Sequence, residues 1–369
     1  MMKKLYNKYE IKPIIERVKC KFCPFCLDEI STHTNDICTN LLDSGIPIPR
    51  KFKEEVKERT SVIFLFVIGY PFHGKTQFLS HFFYKITRDL PRIWEGYFYS
   101  ALNQETFDGF DKIYIGPIER GEFADSTRNV IPIPMILHLE NLPTDFKYNK
   151  IILVCYDFPG EFCDDQYYMQ TARNLFVNID HPIILFSLLD SLNGKTWPDN
   201  VIEKKGDVDK DLHELLNKYI NVLYESGLSE EDIKMRKKPI VVFTKTDKFL
   251  ENEEDENKED ENKKKYKHYF GPLAEIKYYE ENNLNKIYSL ESRKEYLRDM
   301  IAFSDEIKNF VKRTYIQTYN FVSNKFNDIN FVALSSTGKD PEEKDGAVGS
   351  KRILDPLFFL IMNENLISI

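Results

Sequence analysis

The sequence contains no apolar run that approaches the ~20 residues with which a helix spans a bilayer. Its lysine-rich start, residues 1–9, is not followed by the apolar core of a signal peptide. No internal repeat is found either. We therefore expect a cytoplasmic protein that has no membrane partner.

The sequence also lacks a strong excess of one charge. Its 51 basic and 59 acidic residues give a net charge of -8. Residues 251–265 alone hold eight acids and four bases, so this tract supplies -4 and the rest is near neutral. The tract is rich in Glu, Asn, Asp and Lys and cannot bury a core, which predicts a disordered acidic insertion. Nothing in this charge pattern favours nucleic acid as the main partner.

What the sequence does contain is a globular composition, with 42% hydrophobic and 30% charged residues. Apolar, β-branched runs predict buried strands of a parallel sheet at 62–68, 151–156, 183–189, 239–243 and 330–334. Helical patterns lie between them at 75–89, 207–224 and 296–326. A further strand at 131–139 is expected at an edge, because Pro132 and Pro134 interrupt it.

This alternation predicts a doubly wound, mostly parallel, six-stranded α/β sheet. We assign residues 1–50 to a cysteine-bearing segment, 51–60 to a connector and 61–369 to the α/β domain. The aromatic stretch 93–129 has no clear period and predicts surface loops with at most one short helix.

Residues 69–76, GYPFHGKT, match the phosphate-loop pattern G-x-x-x-x-G-K-[ST] between a predicted strand and a predicted helix. Main-chain N–H groups and the helix N-terminus would cradle phosphate oxygens, Lys75 would contact the β- and γ-phosphates, and Thr76 would bind Mg²⁺. The alternative, a structural glycine-rich turn, is disfavoured by this context. The candidate nucleotide-binding residues here are Gly69, His73, Gly74, Lys75, Thr76 and Gln77.

A second candidate, Asp157-Phe158-Pro159-Gly160, ends the predicted strand 151–156. An acid at a strand end beside a phosphate loop can hold Mg²⁺ through water, and the N–H of Gly160 can bind a γ-phosphate. The pattern is weak alone, since such turns are common.

A third candidate is the sequence TKTD at 244–247, which follows the strand 239–243. The carboxylate of Asp247 can accept both N1–H and the 2-amino group of guanine, and the stem of Lys245 can cover the ring. Thr244 begins this loop. A small polar turn after the strand 330–334, with Ser335, Ser336 and Thr337, could meet guanine O6 through its N–H groups.

The ordered set GYPFHGKT, DFPG, TKTD and ALSSTG resembles the boxes of P-loop GTPases of the TRAFAC, Ras-like class over residues 61–365. The N-terminal cysteines and the ending 352–358, RILDPLF, resemble more narrowly the zinc-ribbon-linked GTPases of bacterial conflict and defence systems. The resemblance implies that Lys75 and Thr76 bind phosphate and Mg²⁺ and that Asp157 and Gly160 sense the γ-phosphate. It also implies that Lys245 and Asp247 read guanine.

Two positions depart from the family pattern. Thr244 replaces the usual Asn, so a hydrogen bond between this loop and the phosphate loop is expected to be weaker. Glu161 stands where many members place a Gln that orients water, and a carboxylate there is repelled by the γ-phosphate unless protonated or turned away. Slow intrinsic hydrolysis is therefore expected, with Lys75, Thr127, Gly160 and Glu161 as the candidate catalytic residues.

The switch I threonine that clasps Mg²⁺ is assigned to Thr127, just before the strand 131–139. Thr106 and Ser126 are rivals for this role. Arg128 is a candidate arginine finger, although an exposed loop arginine is more often only solvated. The expected Mg²⁺ residues are Thr76, Thr127 and Asp157.

The N-terminal segment has five potential soft ligands within nineteen positions: Cys20, Cys23, Cys26, His33 and Cys38. In a reducing compartment this density predicts a structural zinc knuckle, with Cys20 and His33 competing for the fourth place. Free surface thiols are the alternative. Seven bases against two acids in residues 1–24 leave contact with nucleic acid open.

These features predict a switch that binds GTP and signals to an unidentified protein effector. A scaffold that binds nucleotide without turnover, and docks through the zinc segment, is the alternative. An ATP-dependent motor is disfavoured because Asp247 fits guanine and no arginine-rich sensor helix is evident.

Overall fold

The computed structural model of the protein describes residues 22–40, 45–58, 60–71, 73–94, 96–122, 124, 133–142, 150–160, 172–187, 205–246, 290–336, 350, 352–364 and 366. Several sequence-predicted features lie outside these ranges. They are the tract 251–265 and the residues Cys20, Ser126, Thr127, Arg128, Glu161, Asp247 and Thr337.

The described residues contain a seven-stranded sheet with the order β4-β5-β6-β3-β7-β8-β9. The strands are β3 Ser61–Ile68, β4 Phe98–Ala101, β5 Met135–Glu140, β6 Lys150–Asp157, β7 Ile183–Ser187, β8 Ile240–Thr244 and β9 Asn330–Ala333. Strands β6, β3, β7, β8 and β9 run parallel to one another in this order, whereas β5 pairs antiparallel with both β6 and β4. The expected α/β class with a mostly parallel sheet is confirmed.

The expected count of six strands is wrong because the sequence analysis missed β4. Phe98–Ala101 pairs antiparallel with β5 and forms the edge of the sheet, so β5 is an inner strand. Pro134 immediately precedes β5, which begins at Met135, so it removes no hydrogen bond from the ladder. The residues after β4 form helices at Gln104–Gly109 and Gly116–Glu119, joined by a π-helical turn at Phe110–Ile115.

Side chains alternate along each central strand between two buried clusters, one on each face of the sheet. In β3, Phe66 and Ile68 belong to the first cluster, and Leu65 and Val67 belong to the second. Burial on both faces explains the continuous apolar runs of these strands.

Helices cover both faces, as a doubly wound sheet requires. In chain order, α1 to α6 are Arg50–Lys57, Lys75–Tyr84, Leu90–Ile93, Gln104–Gly109, Gly116–Glu119 and Arg173–Asn178. Helices α7 to α11 are Lys205–Glu225, Glu230–Arg236, Leu290–Thr314, Ile316–Lys325 and Asp355–Asn363. No helix within the described ranges is long and apolar enough to cross a membrane.

The cysteine segment and the expected connector pack onto this domain. Two short strands, β1 Ile37–Cys38 and β2 Ile46–Pro47, pair antiparallel. Helix α1 lies in the region expected to be a connector and buries Phe52 and Val56. Both residues share a core cluster with Phe25 of the cysteine segment and with Tyr156 of β6, so the N-terminal part and the sheet have a common core.

Candidate functional site: a phosphate loop and a cysteine cluster

The carboxyl ends of five parallel strands meet at one edge of the sheet. Strand pairing places Val67 beside Asp157, and Ser187 beside Thr244. The described candidate residues at 69–77, 157–160, 244–245 and 335–336 end or follow these strands. In a doubly wound sheet this edge is where ligands bind.

Lys75 holds together the loop between β3 and α2. Its Nζ donates hydrogen bonds of 2.8 Å to the main-chain carbonyls of Gly69 and of Tyr70. The side chain is only 6% exposed, so a positive charge is kept inside the loop. Gly74 has a φ of +86°, which glycine adopts without strain, and α2 begins at the next residue. The N–H groups of the first turn of α2, which have no acceptor within the helix itself, therefore point toward the loop.

Two glycines of the site stand where no side chain fits. A β-carbon on Gly69 would lie 2.4 Å from the carbonyl oxygen of Leu185. A β-carbon on Gly160 would lie 2.4 Å from the N and Cα of Pro71 and 2.9 Å from the Nζ of Lys75. The structure thus brings the Asp157–Gly160 turn directly against the phosphate loop.

His73 ties the phosphate loop to the neighbouring strands β7 and β8. Its ring packs edge-on against Phe186, with the centroids 5.0 Å apart. Its Nδ1 accepts a hydrogen bond from the N–H of Ser187 at 3.4 Å. Its carbonyl accepts a hydrogen bond of 3.0 Å from the hydroxyl of Thr244. These contacts fix the loop against two strand ends.

Asp157 is buried at the end of β6, and its carboxylate accepts a 3.1 Å hydrogen bond from the hydroxyl of Tyr114. Burial, together with the nearby Asp157 charge, raises the pKa of Tyr114 well above its ordinary value, so the phenol keeps its proton and donates it. Tyr114 lies in the π-helical turn, in a region that the sequence analysis assigned to loops. No sequence motif marks it.

Thr76 and Gln77 lie in the first turn of α2 and are both partly exposed. The side-chain amide of Gln77 donates to the carbonyl of Ala124 at 3.1 Å, while its Oε1 is buried without a hydrogen-bond partner within the described part of the chain. Gln77 thereby anchors the chain immediately before residues 125–132, where switch I is expected.

The residues expected near a base come together beyond β8 and β9. Lys245 has a φ of +60°, a conformation uncommon for a lysine, and the N–H of Thr246 donates to the carbonyl of Leu334 at 3.4 Å. Ser335 is buried and Ser336 partly exposed beside this turn. The loops that follow β8 and β9 are therefore in direct contact.

Thr106, a rival for the switch I role, has a different environment. It is fully buried, its hydroxyl accepts a hydrogen bond of 2.7 Å from the N–H of Ile136, and it donates to the side chain of Asn103. These bonds fasten α4 to the start of β5. In this structure the hydroxyl of Thr106 therefore serves this attachment.

The structure brings Cys23, Cys26, His33 and Cys38 into one cluster, with all four ligand atoms within 4.8 Å of one another. The Sγ of Cys26 lies 3.3 Å from the Nε2 of His33. Zinc bound by thiolates at 2.3 Å sets its ligand atoms about 3.8 Å apart in a tetrahedron. The main-chain N–H of Phe25 donates to the Sγ of Cys23 at 3.4 Å, which stabilises a thiolate. The set fits zinc.

Two thiols of this cluster, those of Cys26 and Cys38, resist ionisation when no cation is near. A hydrogen bond with Cys23, followed by burial, raises the pKa of Cys26. Burial is the main cause that raises the pKa of Cys38. A divalent cation reverses this preference because it pairs with thiolates directly.

No protein-family model matches the chain, and no curated protein matches its sequence. Among solved structures, it is similar to the signal recognition particle receptor SRb-GTP/SRX complex from Chaetomium thermophilum, with 12% identity, a TM-score of 0.31 and coverage of 76% of this chain and 94% of that one.

It is also similar to the S. cerevisiae Ski7 GTPase-like domain bound to GTP, with 13% identity and a TM-score of 0.32. This match covers 86% of the present chain and 53% of the other, so the chain spans about half the length of that structure.

Proposed function

We propose that the protein is a guanine-nucleotide-dependent switch that binds GTP with Mg²⁺, hydrolyses it slowly and signals its state to a protein partner. One observation carries this proposal. Motifs far apart in the sequence converge on the phosphate loop, through Thr244 on the carbonyl of His73 and Gly160 against Pro71. A glycine-rich turn with only a structural role would not need the other two motifs beside it.

The triphosphate would be bound by the loop and the first turn of α2. Lys75 now donates to two loop carbonyls, and a phosphate oxygen would replace these as a charged acceptor for the same Nζ. The N–H of Gly160 is close enough to the loop to sense whether a γ-phosphate is present, since the turn already contacts Pro71.

Oxygen ligands suited to Mg²⁺ lie on the same edge. We assign the hydroxyl of Thr76 and the carboxylate of Asp157 to this ion, with Thr127 as the switch I ligand. When bound, Mg²⁺ neutralises charge on the phosphates. The burial of the Asp157 carboxylate fits a position next to a cation better than one in solvent.

The base would lie between the two loops beyond β8 and β9. We assign guanine selectivity to Asp247, stacking to the stem of Lys245 and O6 contact to the turn of Ser335, Ser336 and Thr337. The bond between Thr246 and Leu334 supports this assignment because it holds the two loops together.

Slow turnover is part of the proposal because Glu161, not a glutamine, follows Gly160. The same residue favours a second candidate function, a scaffold that binds nucleotide without hydrolysis. Slow but measurable GTP hydrolysis would indicate the switch, whereas nucleotide binding without hydrolysis would indicate the scaffold.

We also propose that the cysteine cluster holds one structural zinc ion, and that the protein acts in the reducing cytoplasm, where free thiols persist. We further propose the narrower kinship with zinc-ribbon-linked GTPases of bacterial conflict systems, on the resemblance of the N-terminal cysteines and of the segment RILDPLF at 352–358.

A nucleotide panel tests the function. Purified full-length protein would be titrated with fluorescent GTP, GDP and ATP analogues in Mg²⁺, and turnover of GTP and ATP would be followed. We expect GTP and GDP to bind and ATP to compete at least about 100-fold more weakly, because a site built for guanine leaves polar groups unpaired with adenine. Equal binding of ATP and GTP would overturn the guanine assignment.

A further inference from the structure

The cysteine cluster contacts the chain on both sides of the segment that begins with the Asp157–Gly160 turn, which corresponds to switch II of the GTPases that the sequence resembles. On one side, the hydroxyl of Tyr156 donates a 2.6 Å hydrogen bond to the main-chain carbonyl of Pro24, which lies between the ligands Cys23 and Cys26. Tyr156 is buried in β6 and directly precedes Asp157. Its ring stacks on that of Phe158, with centroids 6.2 Å apart.

On the other side, α6 begins soon after residues 161–171. The side-chain amide of Asn178 donates to the carbonyl of Leu27 at 3.2 Å, and that of Asn174 donates to the carboxylate of Asp28 at 3.0 Å. Tyr156 and these two asparagines thus make polar contacts between the cysteine segment and the flanks of switch II.

The acceptors of these bonds belong to the metal-binding turn itself. The N–H of Leu27 donates to the carbonyl of Cys23 at 3.0 Å, and the N–H of Cys23 donates to the carbonyl of Asp28 at 2.7 Å. Leu27 has a φ of +58°, which a leucine keeps only when its surroundings hold it. A metal ion on Cys23 and Cys26 would therefore fix the carbonyls that Tyr156 and Asn178 use.

A short physical path leads from this turn to the phosphate loop. Tyr156 is joined through the chain to Asp157, and the same turn ends at Gly160, which leaves no room for a β-carbon beside Pro71 and Lys75. Because this packing is tight, a shift of the turn by a fraction of an ångström changes the contact with the phosphate loop.

We propose that the cysteine cluster gives the protein a second function, in which zinc occupancy controls the affinity of the nucleotide site for the γ-phosphate. The inference rests on the proposed function, since it assumes that Gly160 senses that phosphate. Zinc would favour GTP over GDP by holding the turn from Tyr156 to Gly160 in place. Because coupling between two sites is reciprocal, GTP would tighten zinc binding by the same factor.

Reciprocity gives a test that does not depend on turnover. The affinity of the full-length protein for zinc would be measured by competition with a chromophoric chelator, once with GDP bound and once with a non-hydrolysable GTP analogue bound. We expect zinc to bind about fivefold or more tightly with the GTP analogue. Equal zinc affinities in the two states would overturn the coupling.

A conservative variant tests the route while keeping the metal. Tyr156→Phe removes the hydroxyl that binds the carbonyl of Pro24 and keeps the ring that stacks on Phe158. The matched control is Tyr219→Phe, because the hydroxyl of Tyr219 is buried in the same core cluster and has no hydrogen-bond partner among the residues that the structure describes. We expect both variants to bind one zinc, and only Tyr156→Phe to lose most of the difference between GTP and GDP.

The outcomes separate the two proposals. A protein that binds no guanine nucleotide with zinc present contradicts the proposed function, and the coupling with it. A protein that binds GTP and GDP with a ratio unaffected by zinc and by Tyr156→Phe keeps the proposed function and overturns the coupling. If Tyr219→Phe lowers the ratio as much as Tyr156→Phe does, the effect comes from general core packing, and the proposed route is wrong.

Discussion

The hydroxyl of Thr244 donates a 3.0 Å hydrogen bond to the main-chain carbonyl of His73, at the point where β8 ends beside the phosphate loop. From the sequence, a weaker hydrogen bond is expected here because threonine replaces asparagine. The structure shows that a hydroxyl on a shorter side chain reaches the carbonyl directly. The loop that follows β8 and the phosphate loop are therefore joined by a buried hydrogen bond.

Thr244→Val should weaken nucleotide binding by removing this hydrogen bond between Thr244 and His73. Valine has a similar shape but cannot donate, so the buried carbonyl of His73 loses its hydroxyl donor at a cost of about 1–2 kcal/mol. We expect a GTP affinity about 5- to 30-fold lower, measured by titration with a fluorescent analogue. Thr244→Ser keeps a hydroxyl and should bind nearly as wild type. If the valine and serine variants bind alike, the hydrogen bond has no role in binding.

Asp247→Asn should change base selectivity, if the carboxylate is the acceptor for two guanine donors. Asparagine offers one acceptor and one donor group, so guanine would lose a pairing and xanthine would gain one. We expect GTP affinity to fall by several kcal/mol, about 100-fold or more, while xanthosine triphosphate gains affinity. The measurement is competition of both nucleotides for a fluorescent analogue. An unchanged preference for GTP in the variant would contradict the assignment.

The sequence predicted the central strands because apolar, β-branched runs such as 62–68 reflect burial on both faces. It also placed Gly69, Lys75 and Thr244 at strand ends. It could not predict β4, since the four residues Phe98–Ala101 have no alternation that marks a strand. The sequence pattern predicted one helix from 296 to 326, whereas the structure has two helices, α9 and α10, which are separated at Tyr315.

Contacts between side chains and residues far away in the sequence could not be predicted for a different reason. Tyr114 and Tyr156 act through contacts with Asp157 and Pro24, which are 43 and 132 positions away along the chain. Such pairs carry no local motif and follow only from how the strands and turns pack. The choice between Cys20 and His33 could not be made from the sequence for the same reason. The structure places His33 in the cluster, and Cys20 lies outside the described residues.

GTP hydrolysis by the isolated protein should be slow. The carboxylate of Glu161 is repelled by the γ-phosphate where a glutamine would orient water, and unassisted switches turn over at roughly 10⁻⁴ to 10⁻² s⁻¹. Single-turnover assays with excess protein would measure this rate. Lys75→Ala should abolish binding or turnover, because the ammonium group inside the loop is lost. A rate above about 1 s⁻¹ without a partner would show that another residue orients the water.

Elemental analysis should find about one zinc per chain, bound by Cys23, Cys26, His33 and Cys38. Cys23→Ala should lose it, whereas Cys155→Ala should retain it, because Cys155 is a buried free cysteine outside the cluster.

Removal of zinc should also lower the melting temperature of the whole protein. Phe25 and Leu27 pack in the same core as Phe66 and Tyr156, so the segment cannot unfold without exposing part of the sheet. A melting temperature that stays unchanged after chelation, with zinc lost, would show that the two parts are independent.

Tyr114→Phe should weaken Mg²⁺-dependent binding of GTP while leaving the hydrophobic core intact. The hydroxyl of Tyr114 orients the carboxylate of Asp157, and the ring, which packs edge-on against Phe83 with centroids 5.1 Å apart, is kept in phenylalanine. Partners that orient a metal-binding group typically change metal affinity by about 10-fold or more. We therefore expect the Mg²⁺ concentration that half-saturates GTP binding to rise about 10-fold.

The matched control for this variant is Tyr97→Phe. Tyr97 is buried in the same cluster as Tyr114, and its hydroxyl has no hydrogen-bond partner among the described residues. Both variants lose one phenolic oxygen from the second core cluster, and both keep the aromatic ring that packs there. Only Tyr114→Phe removes a donor to Asp157, so only its Mg²⁺ dependence should shift. A Tyr114→Phe protein with wild-type Mg²⁺ dependence would show that the hydroxyl serves packing alone, because the carboxylate then holds its position without it.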